Sequence, residues 1–392
     1  MRYLFTTIPG PSHVLPMVPL AHAALAAGHE VLFATSGEAA LRTAKSAGLH
    51  TFAVDDGQAA APYEEMARKV SETTITSDLP INELIGYFAG VFAEVGSRMA
   101  DALIEAGRTW GADAVVYPPP HVGGLLAARA LGIPAVLHGI GTRRPTFGPA
   151  LAALRPTAER LGVTELPEAE VEIDLSPASL ETIHQDTPHQ ARAGHTLPMR
   201  YIAYTGGAVL PDWLLQRGPR PRVAVTLGSL PAIYGDGALL REIIEGAREL
   251  DVELVVTTGG AELSALPSPL PPYVRVVDWL PLKALLATCD AVVHHGGMGS
   301  VYASLDAGVP QLAIPVTGTD SVANAQVAVA RGAGRLLDIA DARAATVASA
   351  LREVLHTPSY REAGRQVSAE MRAMPAPATV VAELSALLGA AG

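Results

Sequence analysis

The sequence predicts an α/β protein built from two doubly wound parallel sheets of Rossmann-like type. Three observations lead there. Short apolar runs alternate with longer amphipathic ones along almost all 392 residues. The alternation stops once, past the middle, and then restarts from its beginning. The stop is TGGAVLPDWLLQRGPRPR, where Gly206, Gly207, Pro211, Gly218, Pro219 and Pro221 read as an interdomain linker. Two successive αβ series imply two parallel sheets.

In order along the chain, RYLFTTI, EVLFAT, DAVVYP and PAVLHG read as strands buried on both faces. Between them, LPMVPLAHAALAAG and GGLLAARALG have helical spacing, each closed by a glycine suited to a helix C-cap. Residues 55–82 and 139–200 fit the rhythm poorly, and the expectation there is loops and helices hanging over the first sheet. Past the linker (206–221), PRVAVTLG, VELVVTTG, YVRVVDW, DAVVHHG and PQLAIPV repeat the pattern. The domains are therefore expected at 1–205 and 222–375, with 376–392 as a closing helix.

Composition excludes several classes. With 49% hydrophobic residues and no long polar tract, disorder is not the main state. The balance of 28 basic against 39 acidic residues, −11 net, argues against a nucleic-acid partner. A single cysteine, Cys289 in LLATCDAVV, excludes a disulfide framework and reads as a buried thiol. No stretch reaches the roughly 18 apolar residues that span a bilayer. The N-terminus turns into a Pro/Gly loop after one short run, unlike a signal peptide. A soluble, cytoplasmic protein without a membrane partner is expected.

In open α/β sheets ligands bind beyond the carboxyl ends of the strands, so the loops that follow strands carry the chemistry. The first, IPGPSHVLP, lacks a GxGxxG fingerprint but holds His13, whose imidazole suits general-base work near neutrality. The most informative is DAVVHHGGMGSVYASLDAGVP. There a strand meets two histidines, a Gly-Gly pair, then Gly299-Ser300 at a helix start. Free N–H groups and the positive helix end make that turn an anion site, with His295 and Ser300 as added donors. Adjacent histidines on a strand end point to opposite faces, and no acidic or cysteine partner lies at ligand spacing, so no metal is expected. Gly228-Ser229 in VTLGSLPA is a second candidate phosphate contact. Asp320 in PVTGTDSVANAQ is either an N-cap or a sugar ligand, and Trp279 either core or a base-stacking ring.

Together these pieces resemble the bacterial natural-product members of the inverting, family 1 glycosyltransferases, whose GT-B fold sets two Rossmann-like domains across a cleft. The resemblance runs through SHVLPMVPLA, the series VDWLP, VVHHGGMGS, AGVPQLAIP and DSVANA, and the closing EMRAMPAPATVVAELSALL. It implies an N-terminal acceptor domain, a C-terminal nucleotide-sugar domain and a last helix that returns to the first. It further implies His13 as general base and Ser229, His295, Gly297, Gly299 and Ser300 around the phosphates. Trp279 and Leu280 match the base-binding segment, and Asp320 with Ser321 the sugar pair. No cofactor and no metal are implied beyond the nucleotide sugar itself.

Three departures shape the expectation. Where relatives often carry an acid that orients the histidine, Tyr117 is followed by Pro118, Pro119 and Pro120. Where plant-type relatives clamp the ribose with glutamate stands Ala303, and Ser321 replaces a glutamine. The last two favour a dTDP-linked deoxysugar over a UDP-sugar. The acceptor, implied to be a polyketide or similar aglycone, is expected against Tyr63, Met66, Phe88, Phe92, Tyr117, His121, His138 and Phe147. A C-glycosyltransferase on a phenolic polyketide and a nucleotide-sugar 2-epimerase are the alternatives, and a homodimer is left open.

Overall fold

Uninterrupted Val, Leu and Phe runs become strands whose neighbours are all parallel. The computed structural model describes every residue except 55–56, 73–80, 145, 182–192, 229–236, 260–265, 267, 317–319 and 390–392. The first sheet contains β1 (Arg2–Thr7), β2 (Glu30–Thr35), β3 (Thr51–Ala53), β4 (Ala114–Tyr117), β5 (Ala135–His138), β6 (Val171–Asp174) and β7 (His195–Pro198). Its order is β3-β2-β1-β4-β5-β6-β7. The second contains β8 (Arg222–Thr226), β9 (Glu253–Thr257), β10 (Val274–Val277), β11 (Ala291–His294), β12 (Gln311–Ala313) and β13 (Gly334–Leu336), in the order β10-β9-β8-β11-β12-β13. In both, the direction of winding reverses between the first strand and its later neighbour, β1 beside β4 and β8 beside β11. A crevice opens beyond the carboxyl ends of the strands at such a reversal.

Four strands escape the hydrophobic pattern. β3 and β13 are three residues each, too short for a periodicity to register. β6 and β7 lie within 139–200, where loops and helices were expected, and this is a correction. The reason is electrostatic. Glu172 and Asp174 of β6 are buried, yet read as polar, because Arg143 from the loop after β5 covers them. Its guanidinium donates to both Glu172 oxygens at 2.9 and 2.6 Å and to Thr196 Oγ1 of β7 at 2.9 Å. One cation thereby laces the last two strands of the sheet to the loop after β5.

The helical expectations refine in the same way. The segment 15–28 splits into a 3₁₀ turn, Leu15–Met17, and a helix, Val18–Ala26, because Pro16 and Pro19 each occupy a helix start. Helix Val122–Leu131 ends on Gly132 with φ +68°, as its sequence suggests. Inside the linker segment Trp213 packs against the guanidinium groups of Arg222 and Arg275, 5.3 and 4.4 Å from the ring centroid. Cys289 is buried, and its thiol donates to Leu285 O. Helix Pro358–Ala373 covers the second sheet, with Ser368 Oγ donating to Asp306 O at 2.6 Å. The chain then crosses back. Helix Pro377–Gly389 packs on Val18–Ala26, and Ser385 Oγ lies 2.9 Å from Tyr3 Oη and 3.0 Å from His29 Nε2.

Replacing Arg143 by methionine leaves two buried carboxylates without their cation, so unfolding free energy should fall by about 3–5 kcal/mol. A shift of the urea midpoint at unchanged slope measures it, and a loss below about 1 kcal/mol would contradict the role given to this ion pair.

Candidate active site

A cavity of about 300 Å³ lies between the sheets, lined by residues of both. From the first domain come Ser12 and His13, on the short helix Pro11–Val14 that follows β1. From the second come Gly228 after β8 and the turn after β11 with His295, Gly297, Gly299 and Ser300. Trp279, Leu280 and Ser321 complete the wall. The structure thus brings His13 and seven of the nine residues expected around the nucleotide sugar to one place.

The turn is built around what glycine allows. Gly296 has φ +82°, and a Cβ there would run into the carbonyl oxygen of Ser321. A Cβ on Gly297 or Gly228 would strike the His295 ring, so the imidazole sits clamped between two backbones. Helix Met298–Ala307 starts at once, with Gly297 as N-cap. The N–H groups of Ser300 and Val301 fold back to Gly297 O at 3.0 Å, and the helix points its positive end into the cleft.

The paired histidines do separate jobs. His294 is buried, accepts from Gly296 N through Nδ1 at 3.0 Å and therefore carries its proton on Nε2, which donates to Gln311 Oε1 at 2.8 Å. It holds the turn. His295 faces the cavity, its pKa pushed down to about 3 by burial and then by the neighbouring His294, against the pull of the Thr226 carbonyl. It is neutral there. Among the described residues no group of three His, Cys, Asp or Glu side chains is arranged to hold a metal ion.

Around His13 the surroundings are aromatic. The Tyr63 ring stands edge-on at 6.3 Å, its hydroxyl bonded to Ser12 and its pKa raised to about 12 by burial. His121 follows a turn closed by its N–H on Pro118 O at 2.9 Å, and its Nε2 lies 3.0 Å from Thr6 Oγ1. Burial, and then the nearby His13, lower its pKa to about 3.

The expected acceptor wall divides. Phe88, Phe92 and Phe147 are half-buried; Phe88 stacks on Phe92 at 6.2 Å, and Phe147 meets Phe92 edge-on at 5.9 Å. Met66 packs beside Tyr63 in the same cluster. Tyr117, His121 and His138 are fully buried, and none of the eight expected wall residues lines the described cavity. The Tyr117 hydroxyl is on Thr146 at 2.9 Å, and His138 Nδ1 donates to Gly139 O at 2.6 Å. Asp320 opens helix Asp320–Ala330. Its side chain and the whole of Ser229 lie outside the described residues. Cavity residues that sequence reading missed include Tyr204, Thr205, Thr257, Met298 and Asn324. Only Asn324 had a signal, three positions after Ser321 on one helix.

Residues 22–228 match the erythromycin biosynthesis protein CIII-like family, N-terminal domain, and residues 241–387 its C-terminal domain. The chain belongs to this family. It is a glycosyltransferase of the natural-product type. It is 37% identical to the elloramycin glycosyltransferase ElmGT of Streptomyces olivaceus over 99% of this chain and 98% of that one. Among solved structures, the glycosyltransferase SnogD from Streptomyces nogalater superimposes with a TM-score of 0.82 at 38% identity, covering 99% of each chain. The spinosyn rhamnosyltransferase SpnG complexed with thymidine diphosphate gives 0.81 at 28% identity, covering 98% of this chain and 100% of that one. The two facing sheets of this glycosyltransferase are accordingly a GT-B pair.

The histidines of this glycosyltransferase also make a pH prediction. His121, His138 and His294 are neutral when folded down to about pH 3 to 4. Unfolded, each takes a proton near pH 6.5. Their burial therefore costs nothing above 6.5 and favours the unfolded chain as pH falls below it. Between pH 7 and 5.5, where carboxylates hardly titrate, these three and His295, also neutral by burial, should bring the stability slope toward about three to four protons, each worth about 1.4 kcal/mol per pH unit. Urea midpoints across that range measure it. A flat profile would contradict neutral burial.

Proposed function

We propose that this glycosyltransferase moves a deoxysugar from a dTDP-sugar to a hydroxyl of a polyketide-type aglycone, with inversion and without a metal. The observation that carries the reading is the single cavity walled by His13 on one side and by His295, Gly297, Gly299 and Ser300 on the other. In the proposed reaction His13 takes the acceptor proton as that oxygen attacks the anomeric carbon. The bond from that carbon to the diphosphate oxygen breaks on the opposite face, and dTDP leaves. In this reading the developing charge on dTDP meets the helix N-terminus beside the neutral His295 ring, with Ser229 as a further contact. Trp279, 45% exposed at the cavity edge, is suited to stack on the base above Leu280. Asp320 and Ser321 are assigned to the sugar.

The choice of dTDP rests on Ala303, buried where a ribose-clamping glutamate would stand in plant-type relatives, and on SpnG having been captured with thymidine diphosphate. The aglycone assignment draws on the aromatic cluster of Phe88, Phe92 and Phe147 and on SpnG having also been captured with the spinosyn aglycone. The assigned boundaries are 1–205 for the acceptor domain and 222–375 for the donor domain. An epimerase would work through carboxylates, and none of the described residues lining the cleft is Asp or Glu.

His13→Ala should lower kcat by roughly 10²–10⁴ while leaving dTDP affinity intact, as removal of a general base does. Steady-state rates and a dTDP titration on the same preparation decide it. A loss under tenfold, with binding unchanged, would assign the base elsewhere.

A further inference from the structure

Expected on the acceptor wall, Tyr63 is only 7% exposed and does not line the described cavity. What it touches is the segment that carries His13. Past β1 the chain turns on Gly10, whose N–H donates to Ile8 O at 2.7 Å and whose carbonyl accepts from His13 N at 3.0 Å. Gly10 is the N-cap of helix Pro11–Val14 and has no side chain to cap it with. A Cβ at Gly10 would overlap the Tyr63 hydroxyl and would come within 2.9 Å of Tyr63 Cζ and 3.0 Å of His13 Cδ2. Phenol and imidazole thus share the space left by one missing side chain.

Two further contacts tie the tyrosine to the same segment. Its ring stands edge-on to His13, 6.3 Å between centroids and 82° between planes. Its hydroxyl is hydrogen-bonded to Ser12, the residue before His13. The ring is anchored in turn. Helix Ala61–Glu72 packs on helix Ile81–Trp110, and Tyr63 and Met66 share a core cluster with Val91, Val95 and Met99. Burial raises the phenol to about 12, so at neutral pH it offers orientation and no charge.

We propose that Tyr63 is the positioning residue for His13, a neutral clamp at a site where Pro118, Pro119 and Pro120 supply no acid. The inference rests on the reading of His13 as the base. An imidazole that swings among its rotamers spends much of its time out of reach of the acceptor hydroxyl. An edge-on ring beside it and a fixed backbone beneath it narrow that choice. The base is then set from the helix Ala61–Glu72, which lies outside the strand-and-helix rhythm of the first sheet.

Turnover of dTDP-glucose with a hydroxyanthraquinone as aromatic acceptor probe tests this in Tyr63→Phe, Tyr63→Leu, His13→Ala and the double variant Tyr63→Leu with His13→Ala. Tyr63→Leu should lower kcat about 10- to 100-fold, the scale of a misplaced reacting group, with KM for dTDP-glucose held within about twofold. Tyr63→Phe keeps the ring and should lose no more than about fivefold, the size of one hydrogen bond. With His13→Ala no base is left to orient, so adding Tyr63→Leu should cost less than about twofold more. A general loosening of the fold would instead lower the rate in both backgrounds. Crystal structures read the position without any substrate: the His13 ring should keep one rotamer in the parent and in Tyr63→Phe, and leave it in Tyr63→Leu. Parent-like kcat in Tyr63→Leu, an equal loss in both backgrounds, or an unmoved His13 ring in Tyr63→Leu each overturns the inference alone. Turnover unaffected by His13→Ala overturns the reading of the base, and this inference falls with it.

Discussion

The turn between β11 and helix Met298–Ala307 is the constraint on which the site depends. A strand must stop, reverse its backbone and start a helix within four residues, against the carbonyl of Ser321 on one side and the His295 ring on the other. Only glycine fits at 296, since any Cβ would overlap a backbone oxygen that cannot move without shifting helix Asp320–Ala330. The result is a helix N-terminus with unshared N–H groups at the bottom of the cleft and an imidazole fixed above it. His294 secures the same turn from beneath through Gly296 and Gln311. Each part of the arrangement holds the next.

The two sheets repeat one physical solution. In each, winding outward in both directions from a central pair leaves a crevice, and the informative loops emerge at that crevice. His13 follows β1, while Gly228 and the His295 turn follow β8 and β11. Facing crevices give one cavity, with Ser12 and His13 on the side of the first sheet and backbone and imidazole on the side of the second. Burial keeps His295 neutral, so the positive potential that would meet a diphosphate comes mainly from backbone dipoles. That potential is present before the ligand arrives.

Much of this was legible in the sequence, for reasons that can be traced. Parallel strands buried on both faces read as continuous apolar runs, so β1, β2, β4, β5 and β8 to β12 stood out. β6 and β7 did not, because Glu172 and Asp174 look solvent-facing until Arg143 is placed over them. The glycines, histidines and serine of the donor turn were visible because strand, turn and helix start are adjacent in sequence. Tyr117, His121 and His138 were expected on the acceptor wall. A one-dimensional pattern cannot tell a polar group at a strand end that faces a cavity from one buried beneath it, and all three are buried. Arg144 and Asn324 are 180 residues apart, so the hydrogen bond from Arg144 Nη2 to Asn324 Oδ1 is a property of the folded cleft alone.

The central claim is that the donor turn, without a metal, binds a thymidine rather than a uridine diphosphate. Calorimetric titration with dTDP and, separately, with UDP, both in excess EDTA, tests it most directly. The account predicts saturable binding of both with dTDP clearly tighter, since Ala303 offers no clamp for a ribose diol. Preference for UDP, or loss of dTDP binding when EDTA is added, would contradict it.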